Sequence, residues 1–475
     1  MLLSLSWKNI WRKPSRSLVL IAAIAIGLAG GVFTIALADG MLKQRNEEAI
    51  KQQFSHLQIH HKDFYDNPKI KDSISDATEL IASLYLRDDV VNLSSRLKFL
   101  GMANSARSTQ GVMITGINPE EEMKVTSIYQ CLIDSNSTYL SSESTNDIVI
   151  STKIAQNLML VFYLFNDDCA NALLEINFKQ EVLDKLNPIK DISLRSKNSF
   201  KDSLRKYLNS EEYEKYADML TEQSTQYSLN KKVILRFNDV DGNLVDEAFK
   251  IVGIYKTSDA LYDNMNVFVN KKYIAELLGV SPETSTEIAI VTNDLTKAKQ
   301  TTLELRDENK NLLIESYFDL DPMSVWQNEF IGIFYNVIIA FILFALSFGI
   351  INTVLMSVME RTKELGMVMS IGMKKGKVFM MIMYESVMVS LTGGVVGMII
   401  GAAVSLYFGK VGIDISAYSS AMESFGLDTM MYPSLSLGFF VGITILVILT
   451  GILSAIYPAR RALKLNPSEA LRSDA

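Results

Sequence analysis

Four stretches of this chain carry almost no charge: Ser17 to Ala38, Phe330 to Met359, Val378 to Gly409 with Glu385 as the interruption, and Thr429 to Ala459. Each exceeds the roughly 20 residues that carry a helix across ~30 Å of hydrocarbon, so the pattern predicts four transmembrane helices. The long segment between the first and second has a different rhythm. "VILRFNDVDGNLVDEAFKIVGIY" (Val233 to Tyr255) alternates apolar and polar positions on both sides of Asp241-Gly242, which predicts a hairpin. "NVFVN" (Asn266 to Asn270) and "IAIVTND" (Ile288 to Asp294) read as short strands, and "KKYIAELLG" (Lys271 to Gly279) as a helix with a glycine stop. "SHLQIHH" and "GVMITGINPEEE" read as further strands with polar turns, whereas Phe178 to Leu229 is charge-rich, poor in glycine and broadly helical. The fold class expected is a membrane protein with four transmembrane α-helices and a large mixed α/β domain between helices 1 and 2.

Composition agrees with a chain that lives in two solvents. At 48% hydrophobic it is too apolar for a wholly soluble protein, and at 21% charged it is too polar for one embedded throughout. Lys and Arg beside helix ends stay in the cytoplasm. Lys8, Arg12, Lys13 and Arg16 precede the first window, Arg361, Lys363, Lys374, Lys375 and Lys377 lie between the second and third, and Arg460, Arg461, Lys464 and Arg472 follow the fourth. Both termini and the Glu360 segment are therefore expected inside. From Gly40 to Phe330 there are 32 Lys and Arg against 44 Asp and Glu, an acidic outer region that argues against nucleic acid as a partner. Ala36 and Ala38 form an Ala-x-Ala pattern, but the preceding apolar run is longer than a cleaved signal peptide's core of roughly 7–15 residues, so retention is expected.

These readings divide the chain into an amphipathic cytoplasmic N-terminal segment (1–16), a first span (17–39), an outer α/β domain (40–328) with a helical insertion at about 161–230, a second span (329–359), a cytoplasmic connecting helix (360–376), a third span (377–409), an outer loop (410–430), a fourth span (431–458) and a cytoplasmic tail (459–475). Ala23, Gly27 and Gly31, and Gly393, Gly397 and Gly401, repeat every four residues, a spacing that lets helix backbones approach closely; Gly438 and Gly442 repeat it in the fourth window. Glu385 is costly inside a membrane unless it functions or pairs, and its closeness to Lys377 favours a rim carboxylate paired with a neighbouring helix. Four helices are few for a complete transport path, so a dimer is expected.

Catalytic chemistry is scarce. His56, His60 and His61 are the three histidines; in a strand His56 and His60 share a face, a metal arrangement only if an acid or Cys joins them, and a solvated strand face otherwise. Cys131 and Cys169 both fall in the outer region, where a disulfide is permitted but not implied by spacing. "GMKKGKV" resembles a phosphate loop only superficially, since Val378 stands where a Mg²⁺-binding hydroxyl belongs. No ATP site of the chain's own is expected.

Glu360 opens "ERTKELGMVMSIG", with Arg361, Lys363 and Glu364 on a polar side, Leu365, Val368 and Ile371 on an apolar one, and Gly366 and Gly372 as close-contact and stop positions. This fits a short helix for a partner's groove and equally an ordinary surface loop. "NTVLMSVMERTKELGMVMSIGMKKGKVFMMIMYES" resembles the coupling-helix region of four-helix ABC permeases, the group that includes lipoprotein-releasing, macrolide-exporter-type and FtsX-like families. The likeness extends to "SWKNIWRKPSRSLVLIAAIAIG", "GVMITGINPEEE", "DIVISTKIAQNL", "FKIVGIYKTSDALYDNMNVFVNKKYIAELLG" and "SAIYPARRALKLNPSEALRSD", leaving out roughly Val161 to Asn230.

The resemblance implies a permease that docks on a dimer of separate ABC ATPases through Glu360, Arg361, Glu364, Leu365, Gly366 and Gly372, with Tyr457, Pro458, Pro467, Glu469 and Leu471 shaping the cytoplasmic end. Met369 and Ser370 depart from the basic residue and Ala common there. ATP and Mg²⁺ would act through the ATPase, and movement would pass along the second helix to an outer domain of the macrolide-exporter type, that is, by mechanotransmission. Other implied partners are a second permease subunit, membrane lipid, lipoproteins and a periplasmic acceptor, in a bacterial inner membrane. "GINPEE" and "DNMNVFV" look most like the lipoprotein-releasing branch; macrolide-type efflux is the alternative, and a signalling permease acting on cell-wall hydrolases is another. For a lipid-anchored substrate the expected cleft walls are Phe33 and Leu37 with Val32 and Ile35 on the first helix, and Phe330, Ile331, Ile333, Phe334 and Val337 on the second.

Overall fold

The computed structural model describes residues 6–8, 10–12, 14–64, 70–74, 77–133, 136–143, 145–175, 178–416, 422 and 429–463. The chain forms two compact units, one of Met1–Asn46, Met323–Met422 and Leu427–Ala475, the other of Glu47–Pro322 and Glu423–Gly426.

Among the described residues, four helices of the first unit are long and apolar enough to cross a membrane. The helical elements are Pro14–Ala49, Pro322–Glu360, Lys375–Val411 and Leu437–Leu463, called here the first to fourth helices. Three ends differ from expectation. The first helix continues beyond Asp39 because "MLKQRNEEA" contains no breaker and consists largely of strong helix formers. The second starts early, with Pro322 at its first position, where a missing N–H costs nothing. The fourth starts at Leu437 instead of 431: Pro433 disfavours helix in the residue before it, and Met430–Met431 pairs instead with Ile413–Asp414 in a small antiparallel ribbon.

Leu20, Ile24, Leu28 and Val32 of the first helix are buried together with Leu343, Ile350 and Val354 of the second, Val378 and Ile382 of the third, and Ile443 and Val447 of the fourth. Glycines set the closest approach. A Cβ on Gly397 would lie 2.6 Å from Ala25 O, and one on Gly401 would lie 3.0 Å from Ala29 O, so the third helix rests directly on the first helix's backbone. Gly27 and Gly31 admit Leu346 and Ile342 of the second helix. Among the described residues a Cβ on Gly442 would meet nothing within 4 Å, so the fourth-helix pair makes no close helix contact within this chain; Gly438 and Gly442 line a cavity instead. Gly451 does make a close contact, to Ser390 and Val387 of the third helix.

The second unit is built on a nine-stranded mixed sheet. Its strands are β1 (Leu57–His61), β2 (Val90–Asn104), β3 (Thr109–Ile117), β4 (Asp147–Ser151), β7 (Lys232–Asn238), β8 (Leu244–Tyr255), β9 (Asn266–Asn270), β10 (Glu287–Thr292) and β11 (Leu312–Ser316), in the order β11-β1-β10-β2-β3-β9-β4-β8-β7. A further pairing of β2 with β7 closes six of them into a ring around Phe99, Ile114, Ile150, Leu235, Phe237, Phe249 and Val267. β7 and β8 form the expected hairpin across Asp241-Gly242. Lys271–Leu278 is a helix stopped by Gly279 at φ +72°, a left-handed conformation that favours glycine. "NPEEE" is not a turn: Asn118 caps the helix Pro119–Val125, whose first turn holds three Glu near its positive end.

The insertion has a core of its own. β5 (Val161–Tyr163) pairs with β6 (Thr225–Tyr227) as a two-stranded neck, beyond which Phe165, Leu173, Leu186, Phe200, Leu204 and Leu220 are buried together. Its helices Lys197–Tyr207 and Ser210–Gln223 follow the charge-rich, glycine-poor sequence, the latter opened by an Asn209/Glu212 capping box.

Candidate functional site

The charged segment after the second helix folds as the short helix Thr362–Ser370. Its acids pair with the chain's own N-terminal segment. Arg12 Nη1 donates to Glu364 Oε2 at 2.6 Å, and Arg16 grips Glu360 with two bonds, at 2.7 and 2.9 Å. The bond from Arg12 holds the Glu364 carboxyl below the usual carboxylate range. Arg361 reaches both Glu364 and Glu385 at 3.3 Å, and Ser357 donates to Glu385 at 3.5 Å, so Glu385 is the paired rim carboxylate. Ser6 Oγ donates to Met381 O at 3.1 Å and Ile10 is buried, seating the N-terminal segment against the bundle.

This changes the assignment of faces. Leu365 and Gly366, expected to touch a partner, are buried within the unit, Leu365 beside Val358, Met381 and Ile382. The surface that remains is Lys363, Met367, Ser370 and Ile371, with Met367 53% and Ile371 80% exposed one helical turn apart. Gly372 follows at φ +101° and ends the helix. In sequence Arg12 and Arg16 mark only the basic flank of the first helix; their pairing with Glu364 and Glu360 joins residues 352 and 344 positions apart. Tyr457 and Pro458 lie in the fourth helix, where Arg461 donates to the Tyr457 hydroxyl, while Pro467, Glu469 and Leu471 fall outside the described residues.

At the opposite end of the bundle the expected cleft walls are not brought together. Val32 and Ile35 are buried, and Phe33 packs its ring 5.9 Å from that of Phe408 on the third helix; Leu37 is half-buried. Phe330, Ile333, Phe334 and Val337 are exposed on the second helix, while the Ile331 side chain falls outside the described residues. A cavity of about 330 Å³ lies at this end among the first, second and fourth helices.

In the outer unit, the solvated strand face expected for the histidines is not found. β1 lies inside the sheet between β11 and β10, and His60 is fully buried, its Nε2 3.0 Å from Gln58 and 3.9 Å from Glu287. His56 Nδ1 instead accepts from Thr292 N, so the pair does not converge on a common ligand position. Burial lowers the His60 pKa to about 4. Around it lies a buried ion cluster that sequence separation concealed. Arg96 donates to Glu287 at 2.5 Å and to Glu122 at 2.7 and 3.0 Å; Ser94 and Thr126 complete Glu122, and Lys98 completes Glu287 at 3.1 Å. Cys131 and Cys169 are both free thiols.

Residues 336–467 match the FtsX-like permease C-terminal family. The chain is 36% identical over 125 residues to a macrolide export ATP-binding/permease protein MacB of Chlorobaculum tepidum, a match covering 26% of this chain and 16% of that protein. It is 30% identical over 266 residues to the ABC transporter permease YtrF of Bacillus subtilis, covering 53% of this chain and 59% of the relative. An ABC transporter permease of Methanocaldococcus jannaschii is 28% identical over 238 residues, covering 48% of this chain and 56% of the relative. Among solved structures, the extracellular domain of the noncanonic ABC-type transporter YknZ from Gram-positive bacteria is similar at TM-score 0.29 and 13% identity, over 55% of this chain and 98% of that one. Residues 336–467 thus form an FtsX-like permease domain.

Proposed function

We propose that the chain is the transmembrane subunit of an ABC transporter, worked by a pair of separate ATPase subunits that bind the ATP and Mg²⁺. The observation that carries this reading is the helix Thr362–Ser370, held from behind by Arg12 and Arg16 and offering Met367 and Ile371 outward. The basic flanks of the helices support a cytoplasmic position for that end. A 39-residue second helix is about 58 Å long, well beyond the ~30 Å of hydrocarbon, so it can act as a rigid lever carrying movement across the membrane. Energy enters as a bias between two states of the bundle, set by the ATPases' preference for one position of the short helix. Each complex contains two such permease chains.

The substrate proposed is a lipid-anchored protein, released from the inner membrane toward a periplasmic acceptor. Phe330, Ile333, Phe334 and Val337 form an exposed apolar wall along which acyl chains can lie, each buried CH₂ contributing about 0.8 kcal/mol. Macrolide-type efflux is the second reading, favoured by the MacB relatives over the permease part. Purification of the complex from its native membrane, with a photo-crosslinker at Phe334, tests both. Capture of a lipidated protein that ATP releases supports extraction; capture of a small molecule or phospholipid alone selects efflux. Absence of any ATPase in the purified complex overturns the permease reading.

A further inference from the structure

The cavity among the first, second and fourth helices is apolar along most of its length, lined by Ile35, Ile339, Phe439, Ile443 and Leu446. Gly442 and Gly438 on the fourth helix supply no side chain to fill it. Its volume of about 330 Å³ is at the lower end of the range for small-molecule sites. Polar residues line it too: Asp39, Tyr335, Asn336, Ser434 and Ser436. Ser434 donates to Asp39, and the Tyr335 hydroxyl is buried with no hydrogen-bond partner among the described residues.

Asp39 is held there by construction. A Cβ on Gly40 would lie 2.0 Å from Tyr432 O, so only glycine lets the first helix press against the strand leading into the fourth. Ser434 N then donates to Ala36 O at 2.8 Å, and Gln44 Nε2 to Met430 O at 3.0 Å, fixing Ser434 over the carboxylate. The cationic side chain acting on Asp39 is Lys43, one turn further along the same helix and outside the cavity lining. A carboxylate at the end of a membrane span, facing an apolar chamber, has the chemistry to receive one positive charge.

We propose that this cavity binds an ammonium-bearing amphiphile, with the ammonium against Asp39 and Tyr335 and the apolar body along Ile339, Phe439 and Leu446. The ammonium donates to the Asp39 carboxylate and the Tyr335 oxygen, and the tail replaces water on the helix walls. The site stands apart from the ATPase-facing helix, so it can hold whether or not the coupling reading does.

The test uses the full chain in a neutral detergent, with a diazirine-bearing dodecylamine and, as control, the alcohol with the same tail. An ion pair at a partly exposed site contributes about 1 kcal/mol, so the amine should label peptides spanning 332–339 or 435–446 about fivefold more than the alcohol. Asp39→Asn should erase that preference while alcohol labelling persists, which shows that the chamber is still formed. Gly442→Phe should block both probes, and serves alone if Asp39→Asn does not fold. Equal labelling by amine and alcohol in the wild-type chain, or a preference that survives Asp39→Asn, overturns the proposal. Unlabelled dodecylamine must compete; its failure also overturns it. Competition by phosphatidylethanolamine vesicles but not phosphatidylcholine vesicles assigns the site to a lipid headgroup, and competition by free dodecylamine alone assigns it to a soluble amphiphile.

Discussion

Glu287→Gln should be among the most damaging single changes in the outer unit. Glu287 is 1% exposed and bonds both Arg96 and Lys98. Burial alone would raise its pKa, but Lys98 and Arg96 more than offset this and hold it well below the usual carboxylate range. Removing one member of a buried pair typically costs 3–5 kcal/mol, because the remaining charge has lost its counterion. Here Arg96 keeps Glu122 and the Lys98 head is partly exposed, so the lower end, about 3 kcal/mol, is expected. For a unit of this size that is a fall in Tm of roughly 6–9 °C. The assay is thermal unfolding of residues Glu47–Pro322 followed by circular dichroism at pH 7, with Glu308→Gln as control. Glu308 is 60% exposed and 3.5 Å from Arg87, and its substitution should move Tm by less than about 1 °C. A Glu287→Gln shift no larger than that control would refute the electrostatic account of the cluster. Linkage adds a sign. A depressed carboxylate contributes stability above its unfolded pKa and loses it as pH falls, so the gap between wild type and Glu287→Gln should narrow below about pH 4.

Three further outcomes follow from the same geometry. His60 titrates near 4 when folded and near 6.5 when unfolded, so the unfolded chain takes up a proton first as pH falls; about 3 kcal/mol should be lost between pH 7 and 4, and His60→Gln should flatten that slope in unfolding measured across the range. Gly397→Leu must displace the backbone of Ala25 and should cost about 1–3 kcal/mol, read as a lower melting temperature in detergent, whereas Gly442→Ala enters open space and should leave it unchanged. Denatured without reductant, the chain should titrate two thiols, for Cys131 and Cys169; a count of zero would mean that they pair.

The long helices were legible because a span needs only local information: enough consecutive apolar residues. The β7–β8 hairpin was legible for the same reason, with its turn and alternation contiguous in the chain. What sequence concealed was long-range polar pairing. Arg12 and Glu364 are 352 positions apart, and Arg96 and Glu287 are 191 apart, so nothing near either residue announces its partner. The same blindness made His60 look solvated when neighbouring strands supply its surroundings. The start of the fourth helix was misplaced because hydropathy outvoted Pro433, whose backbone restriction weighs more than the apolar residues beside it. Helix rotation is not legible either: apolar character places Phe33 and Phe334 at one depth, but only packing decides that Phe33 turns toward Phe408.

The central claim is that the short helix Thr362–Ser370 transmits ATP-driven movement through Met367 and Ile371, and is held in place by Arg12 and Arg16. The direct measurement is ATP turnover by the partner ATPase reconstituted with this chain in proteoliposomes, comparing wild type, Ile371→Glu and Arg16→Ala. The account predicts that Ile371→Glu loses both co-purification and stimulated turnover, because it places a charge in an apolar contact. Arg16→Ala should keep the ATPase bound but lower its stimulation, because the end of the second helix at Glu360, directly before the short helix, loses its two bonds to Arg16. Full stimulation with Ile371→Glu would contradict the account.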